Sequence, residues 1–195
     1  MNKTVSRKSE ENEVKIAAAD AGKLRALLRR HGFRVTQSRV FEQNIVLDDA
    51  SGSLRERNVL LRLRSTGRTV ICTFKGKEVP GLHKRREERE FQATDVNECL
   101  AVFSGLGFIP AFRYEKYRTE LARDSEAGAA MLDETPIGVF LELEGPARWL
   151  DRTAKELGFS RNDYILASYS RLYAEWCAEY GADPAAMVFN RRRSR

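Results

Sequence analysis

The sequence has few of the residues that build disulfide frameworks or zinc sites. Its three cysteines, Cys72, Cys99 and Cys177, lie far apart and form no C-x-x-C pair, and it has only two histidines. This usage argues against a disulfide scaffold and a zinc centre, and a reducing cytoplasm is the expected location. No stretch approaches the roughly 20 apolar residues of a membrane helix, and the first ten residues lack the apolar core of a signal peptide. We therefore expect no membrane association.

Charge is what the chain has in excess. Charged residues make up 32% of its 195 positions, above the usual quarter, and Lys and Arg outnumber Asp and Glu by 34 to 28. The net charge of +6 mildly favours an anionic partner. The length fits one domain, predicted over residues 10–181 between a flexible N-terminus (1–9) and a basic flexible tail (182–195).

The order of periodic segments predicts an α+β fold. About eight segments alternate with a two-residue period, and most are joined by short turns, which favours an antiparallel sheet. Helical spacing follows Asp20, Asp95 and Pro146, and a last helix is predicted between Ser160 and Trp176.

The same alternation places charged side chains on one face of nearly every strand. In the first strand Glu11, Glu13 and Lys15 share a face, while Val14 and Ile16 point the other way. Any one such strand could be the solvated face of an ordinary sheet. Because charges of both signs recur on strand after strand, we expect a sheet that closes on itself into a barrel, with helices packed on its outside and charges inside.

An interior lined with both signs cannot be a dry core, because unpaired buried charges are too costly. Converging Arg and Lys side chains suit a ligand with several phosphates, and paired carboxylates suit Mg²⁺ or Mn²⁺. These residue types predict a metal–triphosphate site.

The motifs also resemble a known family. Glu11-x-Glu13-x-Lys15 resembles the ExExK signature of the CYTH family, the triphosphate tunnel metalloenzymes, which include class IV adenylyl cyclases, thiamine triphosphatases and inorganic triphosphatases. The further motifs, in chain order, are Arg62-x-Arg64, Thr73-x-Lys75, Arg86-x-Glu88-x-Glu90, Lys116-x-Arg118, Asp133 and Gly138-x-Phe140-x-Glu142-x-Glu144. The resemblance covers about residues 10–173 and implies an eight-stranded tunnel with helices outside.

The resemblance also implies roles for individual residues. The metal ligands are expected to be Glu11, Glu13, Glu142 and Glu144, with Glu88, Glu90 and Asp133 as further ligands or network partners. The residues expected to bind the triphosphate are Lys15, Arg62, Arg64, Lys75, Lys77, Arg86, Lys116 and Arg118. Lys15, Lys75 and Arg118 are the candidates for a catalytic role.

The sequence does not determine which phosphorus atom of the triphosphate is attacked. Attack of a ribose 3′-hydroxyl on the α-phosphorus would yield cyclic AMP, whereas attack of water on the terminal phosphorus would yield a diphosphate and phosphate. The length and motifs favour a class IV adenylyl cyclase over a triphosphate hydrolase. A non-catalytic binder of RNA or polyphosphate, suggested by the net charge, is the third alternative, although nucleic acid is not the expected partner. A homodimer is expected only if helices leave apolar outer surface uncovered.

Overall fold

The computed structural model describes residues 7–190, with side chains described from residue 12 onward. The strands are β1 (Arg7–Ala18), β2 (Arg34–Asp48), β3 (Leu60–Thr66), β4 (Thr69–Lys75), β5 (Lys84–Ala93), β6 (Ile109–Ala122), β7 (Ala129–Thr135), β8 (Gly138–Glu144) and β9 (Ala186–Met187). The helices are α1 (Ala21–Arg30), α2 (Ser53–Glu56), α3 (Val96–Gly105), α4 (Ala147–Glu156) and α5 (Tyr169–Tyr180). No helix among these residues is long and apolar enough to cross a membrane.

The strands form one sheet that closes on itself. Their order is β2-β3-β4-β5-β1-β8-β7-β6-β9, and β2 also pairs with β6. The predicted closed, eight-stranded antiparallel β-barrel of α+β class is therefore confirmed. By contacts, the described residues divide into unit 1 (residues 7–12 and 42–113) and unit 2 (residues 13–41 and 114–190).

The apolar strand faces of unit 2 carry two helices. Val14 and Ile16 of β1 and the apolar side of β6, β7 and β8 pack with α1 and α4 in one buried cluster that contains Leu28 and Leu150. Asp20 caps α1 by accepting a hydrogen bond from the backbone N–H of Lys23 at 2.8 Å. The charged residues that alternate with this cluster must therefore lie on the opposite strand face.

Unit 1 follows the same plan. Leu61 and Leu63 of β3 and Cys72 of β4 pack with Leu54 of α2 and with the apolar side chains of α3. Asp95 caps α3 by accepting from two backbone N–H groups at 2.7 and 3.3 Å, as its position before the helical spacing predicts. The helices thus cover the apolar face, and Arg62 and Arg64 are left on the other.

The last predicted helix begins later than the sequence indicated. Ser160 and Asp163 form a capping box, but it starts only a 3-10 turn at Arg161–Asp163. The chain is then extended, and Ile165 exchanges two backbone hydrogen bonds with Lys15, of 3.3 and 2.7 Å. This pairing with the edge of β1 replaces helical hydrogen bonding, so α5 begins at Tyr169 with Ser168 as its N-cap.

Secondary structure is present near both ends of the described chain. Strand β1 begins at Arg7, within the segment predicted to be flexible. In the predicted tail, Met187 of β9 is fully buried, and the ring of Phe189 lies 5.3 Å from that of Tyr117. Ordered packing therefore extends to Asn190, and residues 1–6 and 191–195 lie outside the described part of the chain.

Candidate active site

Four neighbouring strands of unit 2 bring their charged residues to one face. Lys15 of β1 lies directly opposite Glu142 of β8, and Arg118 of β6 lies directly opposite Asp133 of β7. Directly opposed residues of an antiparallel pair share a face, so the strand register itself assembles these side chains. We call Lys15, Lys116, Arg118, Asp133 and Glu142 the unit 2 network.

Asp133 is the centre of this network. Its carboxylate accepts from Nζ of Lys116 at 2.7 Å and from Nε and Nη2 of Arg118 at 2.7 and 2.6 Å. Asp133 is completely buried, and the two cations are almost so. The bidentate arginine and the lysine engage both carboxylate oxygens, which makes Asp133 a partner that fixes the cations rather than a ready metal ligand.

Glu142 links the two sides of the network. Its Oε1 lies 3.1 Å from Nζ of Lys15, and its Oε2 accepts a short hydrogen bond from Arg118. Burial alone would raise the pKa of Glu142, but the charges of Lys15, Lys116 and Arg118 outweigh it and hold the pKa well below its usual value. Burial would lower the pKa of Lys15, yet Glu142 and Glu13 keep it raised. Both groups are therefore charged at neutral pH.

Tyr169 completes the network from the first turn of α5. Its hydroxyl donates to Asp133 at 2.9 Å, and Nζ of Lys15 and Nζ of Lys116 lie 4.5 and 5.2 Å from the centre of its ring. Burial, followed by the charges of Asp133 and Glu142, raises the pKa of this phenol well above 10, so the hydroxyl stays protonated and a donor. The sequence alone indicates no role for Tyr169, because this contact depends on where the extended segment before α5 runs.

The carboxylates expected to bind metal are only partly assembled. Glu13 and Glu144 lie directly opposite each other on β1 and β8, an arrangement of like charges that is unfavourable unless a cation offsets it. Paired carboxylates have the donor chemistry that a hard divalent cation requires, so these residues fit such an ion. Among the described side chains, however, no three Asp, Glu, His or Cys residues are gathered closely enough to form a metal site. The side chain of Glu11 lies outside the described residues.

A second charged cluster occupies the corresponding face of unit 1. Arg62 lies opposite Thr73, which lies opposite Glu90, on β3, β4 and β5. Thr73 donates to Glu90 at 2.6 Å, Nη2 of Arg62 donates to Thr73 at 3.3 Å, and Nη2 of Arg64 donates to Glu90 at 3.3 Å. Burial would raise the pKa of Glu90, but the hydrogen bond from Thr73 and the nearby cations lower it.

The other residues of unit 1 that were predicted to bind the triphosphate differ in their burial and in their partners. Nζ of Lys75 lies 3.3 Å from Glu88, and both side chains are largely buried. Arg86 is half-buried, and its Nε has no hydrogen-bond partner among the described residues. Lys77 follows the end of β4 and is exposed, so it does not share the buried setting of Lys75.

The sequence analysis missed two polar residues on β2. Glu42 is buried, with Oε1 3.5 Å from Nη1 of Arg64, and Asn44 is buried directly opposite Arg64. The signal was present, since Glu42 and Asn44 alternate with Gln43 and with Ile45, which packs in the apolar cluster. The β-branched residues on both faces of β2 concealed that alternation.

Comparison with known proteins places this arrangement in a family. The model of the CYTH domain matches residues 9–169. The chain belongs to the CYTH domain family. A relative from Methanocaldococcus jannaschii, named "Putative adenylate cyclase", is 29% identical over 172 residues, which cover 83% of this chain and 97% of the relative.

Solved structures support the fold of this CYTH protein. A Pyrococcus horikoshii protein superposes with a TM-score of 0.72 at 21% identity, covering 85% of this chain and 99% of that one. A Hippeastrum protein described as an adenylyl cyclase homologue with a dominant triphosphatase activity superposes with a TM-score of 0.61 at 16% identity, covering 92% and 97%. At these identities the superpositions establish the fold alone.

Proposed function

We propose that this CYTH protein is a divalent-metal-dependent enzyme that acts on a triphosphate, most directly as an adenylyl cyclase that converts ATP to cyclic AMP and pyrophosphate. The observation that carries the proposal is the buried unit 2 network, in which Lys15, Lys116 and Arg118 are held in place by Asp133 and Glu142. A CYTH chain with this network has cations positioned before any ligand arrives.

Such a network is better explained by function than by stability. Burying charged pairs costs desolvation energy that their attraction often fails to repay, and apolar residues of similar size would serve a core equally well. Fixed cations in a buried setting stabilise the charge that develops on phosphate oxygens, and they need little reorganisation during the reaction. Lys15 and Arg118 are therefore the proposed catalytic residues of unit 2, and Asp133 and Tyr169 hold them in position.

The metal belongs to the carboxylate side of unit 2. Glu13 and Glu144, joined by Glu142, would hold Mg²⁺ or Mn²⁺, and Glu11 stays a predicted further ligand. When bound, the ion would neutralise phosphate charge and orient the phosphate chain. Among the named charges of unit 2, four carboxylates (Glu13, Asp133, Glu142 and Glu144) face three cations (Lys15, Lys116 and Arg118), an excess that suits a bound cation.

Unit 1 has the opposite balance. Among the named charges of its polar face, the four cations Arg62, Arg64, Lys75 and Arg86 outnumber the three carboxylates Glu42, Glu88 and Glu90. We propose that these cations contact phosphate oxygens, with Lys75 as a further catalytic candidate. The long separations of Arg64 from its carboxylates, 3.3 and 3.5 Å, leave its guanidinium able to form stronger bonds to phosphate.

Two reactions use these groups. In the cyclase, the ribose 3′-oxygen forms a bond to the α-phosphorus, the bond from that phosphorus to the bridging oxygen breaks, and pyrophosphate leaves. In a hydrolase, water forms a bond to the terminal phosphorus and the diphosphate leaves. The name of the M. jannaschii relative favours the cyclase, and the activity described for the Hippeastrum protein makes the hydrolase the second candidate.

The test is to incubate the full chain separately with ATP, thiamine triphosphate and tripolyphosphate, with Mg²⁺ or Mn²⁺, and to separate the products chromatographically. Cyclic AMP with pyrophosphate is the expected result, whereas release of phosphate would establish the hydrolase. No metal-dependent turnover of any of the three would refute the enzyme.

A matched pair of variants locates the chemistry. Glu142→Gln removes a network charge and should reduce turnover at least about a hundredfold, as removal of one electrostatic contact does in other active sites. Glu134→Gln alters a β7 carboxylate that pairs with Arg39 at 2.8 Å outside the network, and it should leave turnover unchanged. Polyphosphate or RNA binding that needs no metal and is unaffected by Glu142→Gln would instead support the non-catalytic binder.

A further inference from the structure

Asn44 is a buried polar residue whose hydrogen-bonding groups are unused. Its side chain lies in β2 and is only 1% exposed, yet neither Nδ2 nor Oδ1 has a hydrogen-bond partner among the described residues. Nearly all buried polar groups of folded proteins find a partner, and one that does not costs roughly 1–3 kcal/mol. An amide with both its donor and its acceptor unused therefore calls for an explanation.

The position of Asn44 in the strand places its amide on the polar face of unit 1. Asn44 lies directly opposite Arg64, so the two side chains share the polar face of unit 1. Its neighbours Ile45 and Leu47 pack in the apolar cluster on the other face. Had Asn44 been needed only to fill space, an apolar residue would have avoided the cost of burying an amide.

Arg64, beside Asn44, also has hydrogen-bonding capacity that the described residues do not use. Its Nε is buried and has no hydrogen-bond partner among the described residues, and its two Nη atoms are held only loosely, at 3.3 and 3.5 Å from Glu90 and Glu42. An amide N–H₂ and a guanidinium N–H on adjacent strands form a pair of donors. Two adjacent buried donors suit an oxyanion.

We infer that Asn44 is a substrate-contacting residue, whose amide nitrogen donates to a phosphate oxygen of the triphosphate that Arg64 also binds. The inference rests on the proposed function and assigns it a residue outside the motifs that point to the CYTH family. A phosphate oxygen is favoured over a nucleobase edge because the two arginines on this face, Arg62 and Arg64, are cations that outnumber the neighbouring carboxylate of Glu42.

The test compares two variants whose side chains have the same number and branching of heavy atoms as asparagine. Asn44→Leu removes both hydrogen-bonding atoms, and Asn44→Asp replaces the donor with a charge that repels phosphate. Calorimetric titration of the full-length protein with tripolyphosphate should show binding about ten- to hundredfold weaker for Asn44→Leu, the loss expected for one hydrogen bond to a charged group, and weaker still for Asn44→Asp. Without tripolyphosphate, Asn44→Leu should raise the melting temperature, since the unused amide is gone.

Thr119→Val provides a matched control. Oγ1 of Thr119 is also buried without a hydrogen-bond partner among residues 12–190, but it alternates with the network residues Lys116 and Arg118 and so lies on the opposite face of β6. This variant should raise the melting temperature and leave tripolyphosphate binding unchanged.

The outcomes separate the inference from the function on which it rests. If the unsubstituted protein binds neither tripolyphosphate nor ATP, both are refuted. If it binds but Asn44→Leu and Asn44→Asp bind within twofold of it, the inference alone is refuted and Asn44 has a structural role. Weaker binding by both variants, with Thr119→Val unchanged, supports the inference.

Discussion

Asp133→Asn tests how much the Asp133 carboxylate stabilises the fold by pairing with the cations of the unit 2 network. The substitution keeps the shape of the side chain but removes the charge that holds Lys116 at 2.7 Å and Arg118 at 2.7 and 2.6 Å. Removing one partner of a buried ion pair typically costs about 3–5 kcal/mol, because the remaining charge stays buried without compensation. For a chain of this length each kcal/mol lowers the melting temperature by about 2–4 °C, so a fall of about 6–20 °C is expected.

The assay is thermal unfolding followed by circular dichroism, with Glu134→Gln as the control. Glu134 is the neighbour of Asp133 on β7 and pairs with Arg39, but its side chain is 26% exposed. A partly exposed ion pair contributes at most about 1 kcal/mol, so the control should melt within a few degrees of the unsubstituted protein.

A second arm asks what can replace the missing charge. Tripolyphosphate, added with a chelator to exclude divalent ions, offers Lys116 and Arg118 new anionic partners. It should therefore raise the melting temperature of Asp133→Asn by more than that of the unsubstituted protein, since ligands stabilise the state they bind. The reasoning is refuted if Asp133→Asn and Glu134→Gln have equal stability, or if tripolyphosphate stabilises Asp133→Asn less than the unsubstituted protein.

Two further substitutions test the electrostatics and the packing of unit 2. The pKa of Glu142 lies below that of the unfolded chain, so the unfolded state binds a proton first on acidification, and stability is lost as the pH falls below about 5. In urea titrations at several pH values, the free energy of unfolding should fall less steeply with decreasing pH for Glu142→Gln than for the unsubstituted protein, by up to about 1.4 kcal/mol per pH unit. Equal slopes for the two proteins would contradict the low pKa assigned to Glu142. A Cβ atom on Gly128 would lie 2.4 Å from the ring of Trp149, so Gly128→Ala should destabilise the fold by about 1–3 kcal/mol in urea unfolding. Gly105→Ala in α3, where nothing lies within 4 Å, should be neutral or stabilising, and equal effects of the two alanines would refute the packing argument.

The alternation of charged and apolar residues was enough to predict the barrel. Where Glu13 and Lys15 alternate with Val14 and Ile16, the two faces of the strand are unambiguous, and the helices have only one face on which to pack. On β2 the two faces could not be told apart from the sequence, because β-branched residues occur on both. Glu42 and Asn44 were missed for that reason.

The pairing of individual charges could not be predicted. A two-residue shift of one strand keeps every side chain on its face but changes its partners, so alternation alone does not place Asp133 opposite Arg118. Nor does it indicate that Tyr169 reaches Asp133, which depends on the extended segment that pairs Ile165 with Lys15. The metal ligands and the reaction stay predictions, since they depend on a bound ion and substrate.

The pairing of Lys15 has a consequence for how the molecule is made. Nζ of Lys15 donates at 3.4 Å to the carbonyl oxygen of Ala167, a partner 152 positions further along the chain, and its ion-pair partner Glu142 also belongs to a late strand. During synthesis from the N-terminus, this lysine therefore emerges long before Glu142 and Ala167, the partners that hold it in the folded protein. Contacts between such distant positions are slow to form, because a long loop must close first. A chain interrupted before residue 165 would leave β1 with an open edge and Lys15 without its backbone partner, so the unit 2 network should be among the last parts of the molecule to fold.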